Sequence, residues 1–225
     1  MFDAGFSFIN EEFYAEGVSP EQLDELLANG WRHFGTHFFR YNLGLYEFDI
    51  RRVIPLRIRL ADFTPTKSQR RVLKRNSDLR THIGPIEITD EIETIFDRHK
   101  TRFGAGRPES IYDFLSPQPA VLPGEANAIY VFKGDELLAA SFFDIGRTAT
   151  SGIYAIFEPK ESDRGLGIFT MLKEIEFAIA SDREFYYQGY SYEGESFYDY
   201  KKRFRGTEGY DWNGRWSSEI NIIEK

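Results

Sequence analysis

The strongest constraint on the fold lies after residue 124, where the hydrophobic pattern changes period and then keeps a fixed order. Ala128 to Phe132 and Glu136 to Ile145 read as strands, joined at Gly134-Asp135, a hairpin signal. Gly152 to Phe157 reads as a third strand, Leu166 to Ala180 as a long helix and Phe185 to Tyr190 as a fourth strand. On that helix Phe169, Leu172, Ile175, Glu176 and Ile179 fall close to helical spacing. The order strand, strand, strand, helix, strand suits a mixed sheet in an α/β (α+β) protein.

The preceding segment, Ser116 to Gly124, carries three of the nine prolines and reads as a linker. It sets an expected boundary between residues 1–115 and 116–225. In the first part Ser19-Pro20-Glu21-Gln22 reads as a capping box with proline at the first helical position, and Gly30 as the stop. His33 to Tyr41 reads as one aromatic strand. Val53 to Leu60 alternates, with Arg57 and Arg59 opposite Ile54, Leu56, Ile58 and Leu60. Thr66 or Ser68 caps a helix to about Ser77, and Ile88, Ile92, Ile95, Phe96 and His99 mark another.

The chain has no cysteine, which excludes disulfides, thiolate nucleophiles and Cys-ligated metal. The four histidines lie at non-motif spacing, so neither metal nor cofactor is expected. No run of about 18 apolar residues predicts a membrane span. Met1 to Asn10 lacks the pattern of a secretory signal, so the expected location is the cytoplasm.

A net charge of −8 argues against nucleic acid, but its distribution argues the other way. Residues 51–80 hold ten basic and two acidic residues, while the whole chain has 28 and 36. Lys67, Arg70, Arg71, Lys74 and Arg75 fall on one helical face. Such a face is either a solvated surface or a phosphate contact; like charges so spaced repel, and phosphate offsets that cost. Asp163-Arg164-Gly165-Leu166-Gly167 precedes the long helix and is either a plain turn or an anion cradle. As a coenzyme A loop it lacks the expected first residue, which here is Ser162. Residues 185–204 hold six of the 13 tyrosines beside Lys201, Lys202 and Arg203. They form either a buried strand and loop or a cleft that stacks a terminal adenosine. His99 stands on an apolar stripe as a core residue or a catalyst.

These segments together resemble one family. Phe63-Thr64-Pro65-Thr66-Lys67-Ser68-Gln69-Arg70-Arg71-Val72-Leu73 looks like the basic signature of aminoacyl-tRNA–protein transferases. Gly30-Trp31-Arg32-His33-Phe34-Gly35, Arg98-His99, Tyr187-Gln188-Gly189-Tyr190 and Asp199-Tyr200-Lys201-Lys202-Arg203-Phe204 are similar to further motifs of that family. The resemblance implies a GNAT-like acyltransferase domain at 116–225 with an N-terminal α/β domain, 1–115, packed on it. It implies transfer of Arg or Leu from charged tRNA to the N-terminal amine of a protein beginning with Asp or Glu. The chain itself is expected to act as a monomer, with no membrane and no cofactor. Residues expected to touch tRNA are Arg57, Lys67, Arg70, Arg71, Lys74 and Arg75. Those expected at the chemistry are Tyr200, Lys201 and His99, with Arg98, Tyr187, Tyr190, Lys202 and Arg203 holding substrate. Tyr200 or Lys201 would protonate the leaving hydroxyl. The family's three N-terminal cysteines fall at about Glu47, Ile50 and Val53, where packing is expected to replace ligation. Two alternatives stay open: an acetyl-CoA-dependent N-acetyltransferase, and a non-catalytic tRNA- or degron-binding protein.

Overall fold

The computed structural model describes residues 7–104 and 106–219; the beginning of the Met1–Asn10 segment lies outside them. A small antiparallel sheet comes first. Strand β1 (Asn10–Tyr14) pairs with β3 (His37–Tyr41), and β3 pairs with β2 (Arg32–Phe34). The expected single strand over His33 to Tyr41 is therefore a hairpin. Gly35, at φ +53°, turns the chain inside a run of aromatics whose composition alone shows no break. Between β1 and β2 lies α1 (Pro20–Ala28), capped as expected by the reciprocal Ser19–Gln22 box. Its Leu23 and Leu27 are buried against Phe38 and Tyr187.

A hairpin of β4 (Leu43–Tyr46) and β5 (Asp49–Arg59) follows, then α2 (Lys67–Arg75), β6 (Arg80–Pro85) and α3 (Asp90–His99). After the proline segment come β7 (Ala126–Lys133), β8 (Glu136–Ile145), β9 (Ala149–Phe157), α4 (Leu166–Ala180), β10 (Phe185–Tyr192), α5 (Asp199–Lys202), β11 (Thr207–Tyr210) and β12 (Trp216–Ser217). The predicted strand, strand, strand, helix, strand order is thus β7-β8-β9-α4-β10. Gly134-Asp135 forms the expected two-residue turn, with Gly134 at φ +60°.

One sheet runs β12-β11-β5-β10-β9-β8-β7-β6, with β4 added on β5. Only β9 and β10 pair in parallel among its described ladders; a helix connects them, as a parallel crossover requires. The fold is α/β with a mixed sheet, as expected. Strands β5 and β6 come from the N-terminal side of the proline segment, so residues from both sides share this sheet. On one face α4 buries Leu172, Ile175 and Ala178 with Ile58 and Tyr186. On the other stretch of sheet α3 buries Ile92, Ile95 and Phe96 with Phe142 and Ile156.

The hairpin tip of β4 and β5 departs from expectation. Glu47 and Phe48 turn the chain in left-handed conformations, and Ile50 is 69% exposed. Only Val53 of the three cysteine-equivalent positions is buried. Packing therefore replaces ligation at one of those positions; Glu47 lies in the turn itself and Ile50 on the exposed end of the hairpin, paired with Leu45.

Candidate active site

The site begins where two strands part. Strand β10 follows β9 only over Phe185↔Ala149, Tyr186↔Thr150 and Tyr187↔Ser151. A bulge between Tyr187 and Gly189 then bends β10 away, while it stays on β5 as far as Tyr192. Gly189 holds φ +86°, which an L side chain rarely adopts.

Two cations occupy the resulting splay. Arg32, the first residue of β2, donates from Nη1 to the Ser151 hydroxyl at 2.5 Å and from Nη2 to the Gly152 carbonyl. Lys201, on α5, donates from Nζ to the Tyr190 carbonyl at 3.1 Å. A β-carbon at Gly189 would lie 3.4 Å from the Lys201 amine and 3.6 Å from Arg32 Nε, so both cations face the same glycine. Burial, and then the neighbouring Arg32 charge, pull the Lys201 amine down to about 7. A primary amine so placed exchanges a proton near neutral pH.

Behind Arg32 lies a second polar layer. Glu174 of α4 accepts a hydrogen bond from the Tyr186 phenol at 2.5 Å, and burial raises the carboxyl to about 7. Asp144 and His33 pair at 2.9 Å, both buried. Aromatic rings from the small sheet close one side: Phe39 and Tyr41 contact Tyr190 edge-on, and the Tyr190 phenol donates to the Gly30 carbonyl at 2.6 Å.

The remaining expected residues divide. Tyr200 lies on α5 against the α4 core, its phenol pushed up to about 12 by burial. Lys202 is spent on structure, its amine bonded to the Tyr192 and Gly194 carbonyls at 2.6 and 3.0 Å and to Asp199 at 2.9 Å. Arg203 is exposed. Tyr187 is buried in the cluster around α1, edge-on to Trp216. Arg57 is stacked 3.9 Å from Phe185 and 4.4 Å from Trp216 and bonded to Glu208 at 2.8 Å. His99 and Arg98 are not brought to the splay. His99 Nδ1 accepts the Phe157 N–H at 3.1 Å, and Arg98 pairs with Glu158 at 2.6 Å. Phe157 lies six residues along β9 from Ser151, about 20 Å of extended chain. Burial lowers His99 to about 4, so it is a neutral core residue at physiological pH.

Helix α2 carries the five expected cations on its exposed side, with Gln69 and Asn76 buried. Thr66 and Gln69 form its capping box. Arg70 is tied to the Pro65 carbonyl at 2.6 Å and Arg75 to the Asp163 carbonyl. Asn76 bonds the Arg164 carbonyl at 3.0 Å, and Arg164 pairs with Asp78 at 2.9 Å. Helix α2 therefore covers the glycine turn before α4, which is the place a coenzyme A pyrophosphate would need.

Sequence reasoning misses Arg32, Ser151 and Glu174. Arg32 stands inside the Gly30–Gly35 motif, but nothing local gives it a role. Of the expected stripe, Phe169, Leu172 and Ile175 are buried while Glu176 and Ile179 are exposed; Glu174 lies on a second buried line with Thr170 and Ala178. That i, i+4 spacing of a glutamate between two small residues is the available signal.

Residues 6–71 match the N-terminal family profile of arginine-tRNA-protein transferase, and residues 92–211 match its C-terminal profile. The chain belongs to this family. It is 32% identical over 187 residues to the aspartate/glutamate leucyltransferase of Xanthomonas euvesicatoria pv. vesicatoria (strain 85-10), with 73% of this chain and 70% of that one covered. The enzyme of the same name from Stenotrophomonas maltophilia (strain K279a) is 31% identical over 184 residues, covering 76% and 71%. Among solved structures, FemX gives a TM-score of 0.49 at 12% identity, over 89% of this chain and 69% of that one. The C-terminal domain of a lysylphosphatidylglycerol synthetase from Agrobacterium fabrum gives 0.48 at 16%, over 85% and 61%. Arginine-tRNA-protein transferases are aminoacyltransferases, and this member carries both halves of the family with no cysteine in either.

Proposed function

We propose that this transferase moves leucine from tRNA to the N-terminal α-amine of proteins beginning with Asp or Glu, as a cytoplasmic monomer. The single observation that carries the reading is the Lys201 amine, set in the strand splay and near neutral in its proton affinity. The acceptor amine attacks the ester carbonyl that joins the amino acid to the terminal ribose. Lys201 takes the proton released from the new ammonium and returns it to the leaving ribose oxygen. One amide forms, one ester breaks, and tRNA leaves with a free hydroxyl. The ester is activated, so holding amine and carbonyl together supplies most of the rate.

Leucine is favoured over arginine by the side chains around the splay. Phe39, Tyr41 and Tyr190 are aromatic, and the two nearby carboxylates are engaged, Asp144 by His33 and Glu174 by Tyr186. A guanidinium needs a free carboxylate there; a leucyl group needs apolar surface. Residues 1–115 present the tRNA-binding helix α2, and residues 116–225 hold most of the reacting site. The acetyltransferase alternative is opposed by α2 lying over the glycine turn.

The test is a transfer assay with radiolabelled leucyl-tRNA, arginyl-tRNA and acetyl-CoA against peptides beginning with Asp, Glu, Arg or Lys. Leucine should appear on the Asp and Glu peptides. Arginine moving in preference overturns the donor assignment, acetyl transfer overturns the reaction, and no transfer from any donor leaves a binding protein.

A further inference from the structure

Arg32 is an unusual choice for the place it fills. Its side chain is nine-tenths buried, at 9% exposure, yet both its direct partners at the splay are neutral: the Ser151 hydroxyl and the Gly152 carbonyl. Asp144 and Glu174 act on it through space only, since each is bonded elsewhere. A neutral amide would tie the same two groups without the desolvation that a buried cation suffers. The charge therefore has a use, and what lies across Gly189 from it is the Lys201 amine. No carboxylate is bonded to either cation among the described residues.

We infer that Arg32 is the positioning residue of the transfer step: it fixes the lip of the splay at Gly152 and stands as a fixed cation across Gly189 from the Lys201 amine. This rests on the reading of Lys201 as the group that handles the acceptor proton. The groups facing Lys201 are few. Arg32 approaches from β2. From β10, Tyr190 offers its carbonyl and turns its phenol to Gly30. On its own segment the Tyr198 ring stands 5.2 Å away and favours the charged amine. From α4, Glu174 lies behind Arg32 and is held by Tyr186. Arg32 is thus the one neighbour among these that pushes toward the neutral amine, adding to burial. An arginine suits the task because it stays charged through the working pH range.

The experiment measures transfer of leucine to an Asp-peptide from pH 5.5 to 9 for wild type, Arg32→Met, Arg32→Lys and Lys201→Met, with tRNA affinity and thermal unfolding recorded for each. In wild type kcat should fall below pH 7. Arg32→Met should lower kcat at pH 7 at least ten-fold and move this acid limb up by about one pH unit, the scale of a removed neighbouring charge. Its tRNA affinity should stay within two-fold. Arg32→Lys should restore the limb to its wild-type position while kcat remains low, because a single nitrogen on a flexible stem does not reproduce the rigid two-nitrogen fork that ties Ser151 and Gly152. Should Arg32→Met not fold, Arg32→Gln bonds Ser151 without charge and makes the same comparison. A folded neutral variant with an unmoved limb overturns the inference, as does a loss confined to the KM for tRNA. Full transfer by Lys201→Met overturns the assignment of the base and this inference with it. Loss of transfer in Lys201→Met beside an unmoved limb in the Arg32 variants removes Arg32 alone.

Discussion

The Tyr186 phenol and the Glu174 carboxyl meet at 2.5 Å directly over Gly152, close to its bare α-carbon. Three elements converge there: β10 brings the phenol, α4 the carboxyl, and β9 the glycine whose carbonyl holds Arg32. The absence of a side chain at Gly152 lets a polar pair pack against the lip of the splay.

Gly152→Ala should break this arrangement. The added carbon would stand 2.8 Å from the Tyr186 oxygen and 3.0 Å from Glu174 Oε2, and both partners are buried, at 1% and 3% exposure. Overpacking of this kind costs about 1–3 kcal/mol. Transfer activity should fall further than that stability loss explains, because the Gly152 carbonyl shifts with its Arg32 contact. Chemical denaturation beside a transfer assay checks this; a midpoint and rate equal to wild type would show that the layer has slack.

Glu174 gives the fold a pH dependence of a definite sign. Burial raises its carboxyl from 4.5 to about 7, so the folded chain binds the proton more tightly than the unfolded chain. The stabilisation is complete below about pH 4.5 and is lost as pH rises through 7, with a full span on the order of 3 kcal/mol. Glu174→Gln keeps a hydrogen-bond acceptor for Tyr186 and cannot ionise. Unfolding free energies from pH 5 to 8 should therefore decline in wild type relative to this variant, and parallel curves would refute the assignment.

How much of the molecule is readable in the sequence follows the range of its interactions. The caps of α1 and α2 and the Gly134-Asp135 turn are local, set within three or four residues, and they are legible. The basic face of α2 is legible as well, since spacing alone places cations on a helix. The splay is not. Arg32 reaches Ser151 across 119 residues, and a buried arginine has the same letters around it as an exposed one. Arg57 misleads for the same reason: its place among the basic residues of 51–80 suggests phosphate, and its partners Glu208 and Trp216 lie far along the chain. His99 beside Arg98 looks like a cationic site, yet the turn at the end of α3 points its imidazole into the sheet at Phe157.

The exposed cations of α2 make the last prediction, and the structure sorts them. Arg70 and Arg75 each donate to a backbone carbonyl, at Pro65 and Asp163, so replacing either disturbs the protein as well as its surface. Lys67, Arg71 and Lys74 are exposed and have no described partner, which makes them clean probes. Arg71→Ala and Lys74→Ala should leave folding within about 0.5 kcal/mol of wild type, as surface substitutions do. If these residues touch phosphate, each change should weaken tRNA binding by about 1 kcal/mol, on the scale of a charged hydrogen bond. The slope of log K against log[salt] should become shallower by about 0.7–0.9 for each phosphate no longer neutralised. Arg75→Ala should differ in kind: it removes a hydrogen bond between α2 and the turn before α4, so stability should drop along with affinity. Binding of charged tRNA at two salt concentrations, measured for all three variants, separates these cases. Equal affinities and slopes for wild type, Arg71→Ala and Lys74→Ala would mean that α2 serves only to cover the glycine turn, and that tRNA is held on another face.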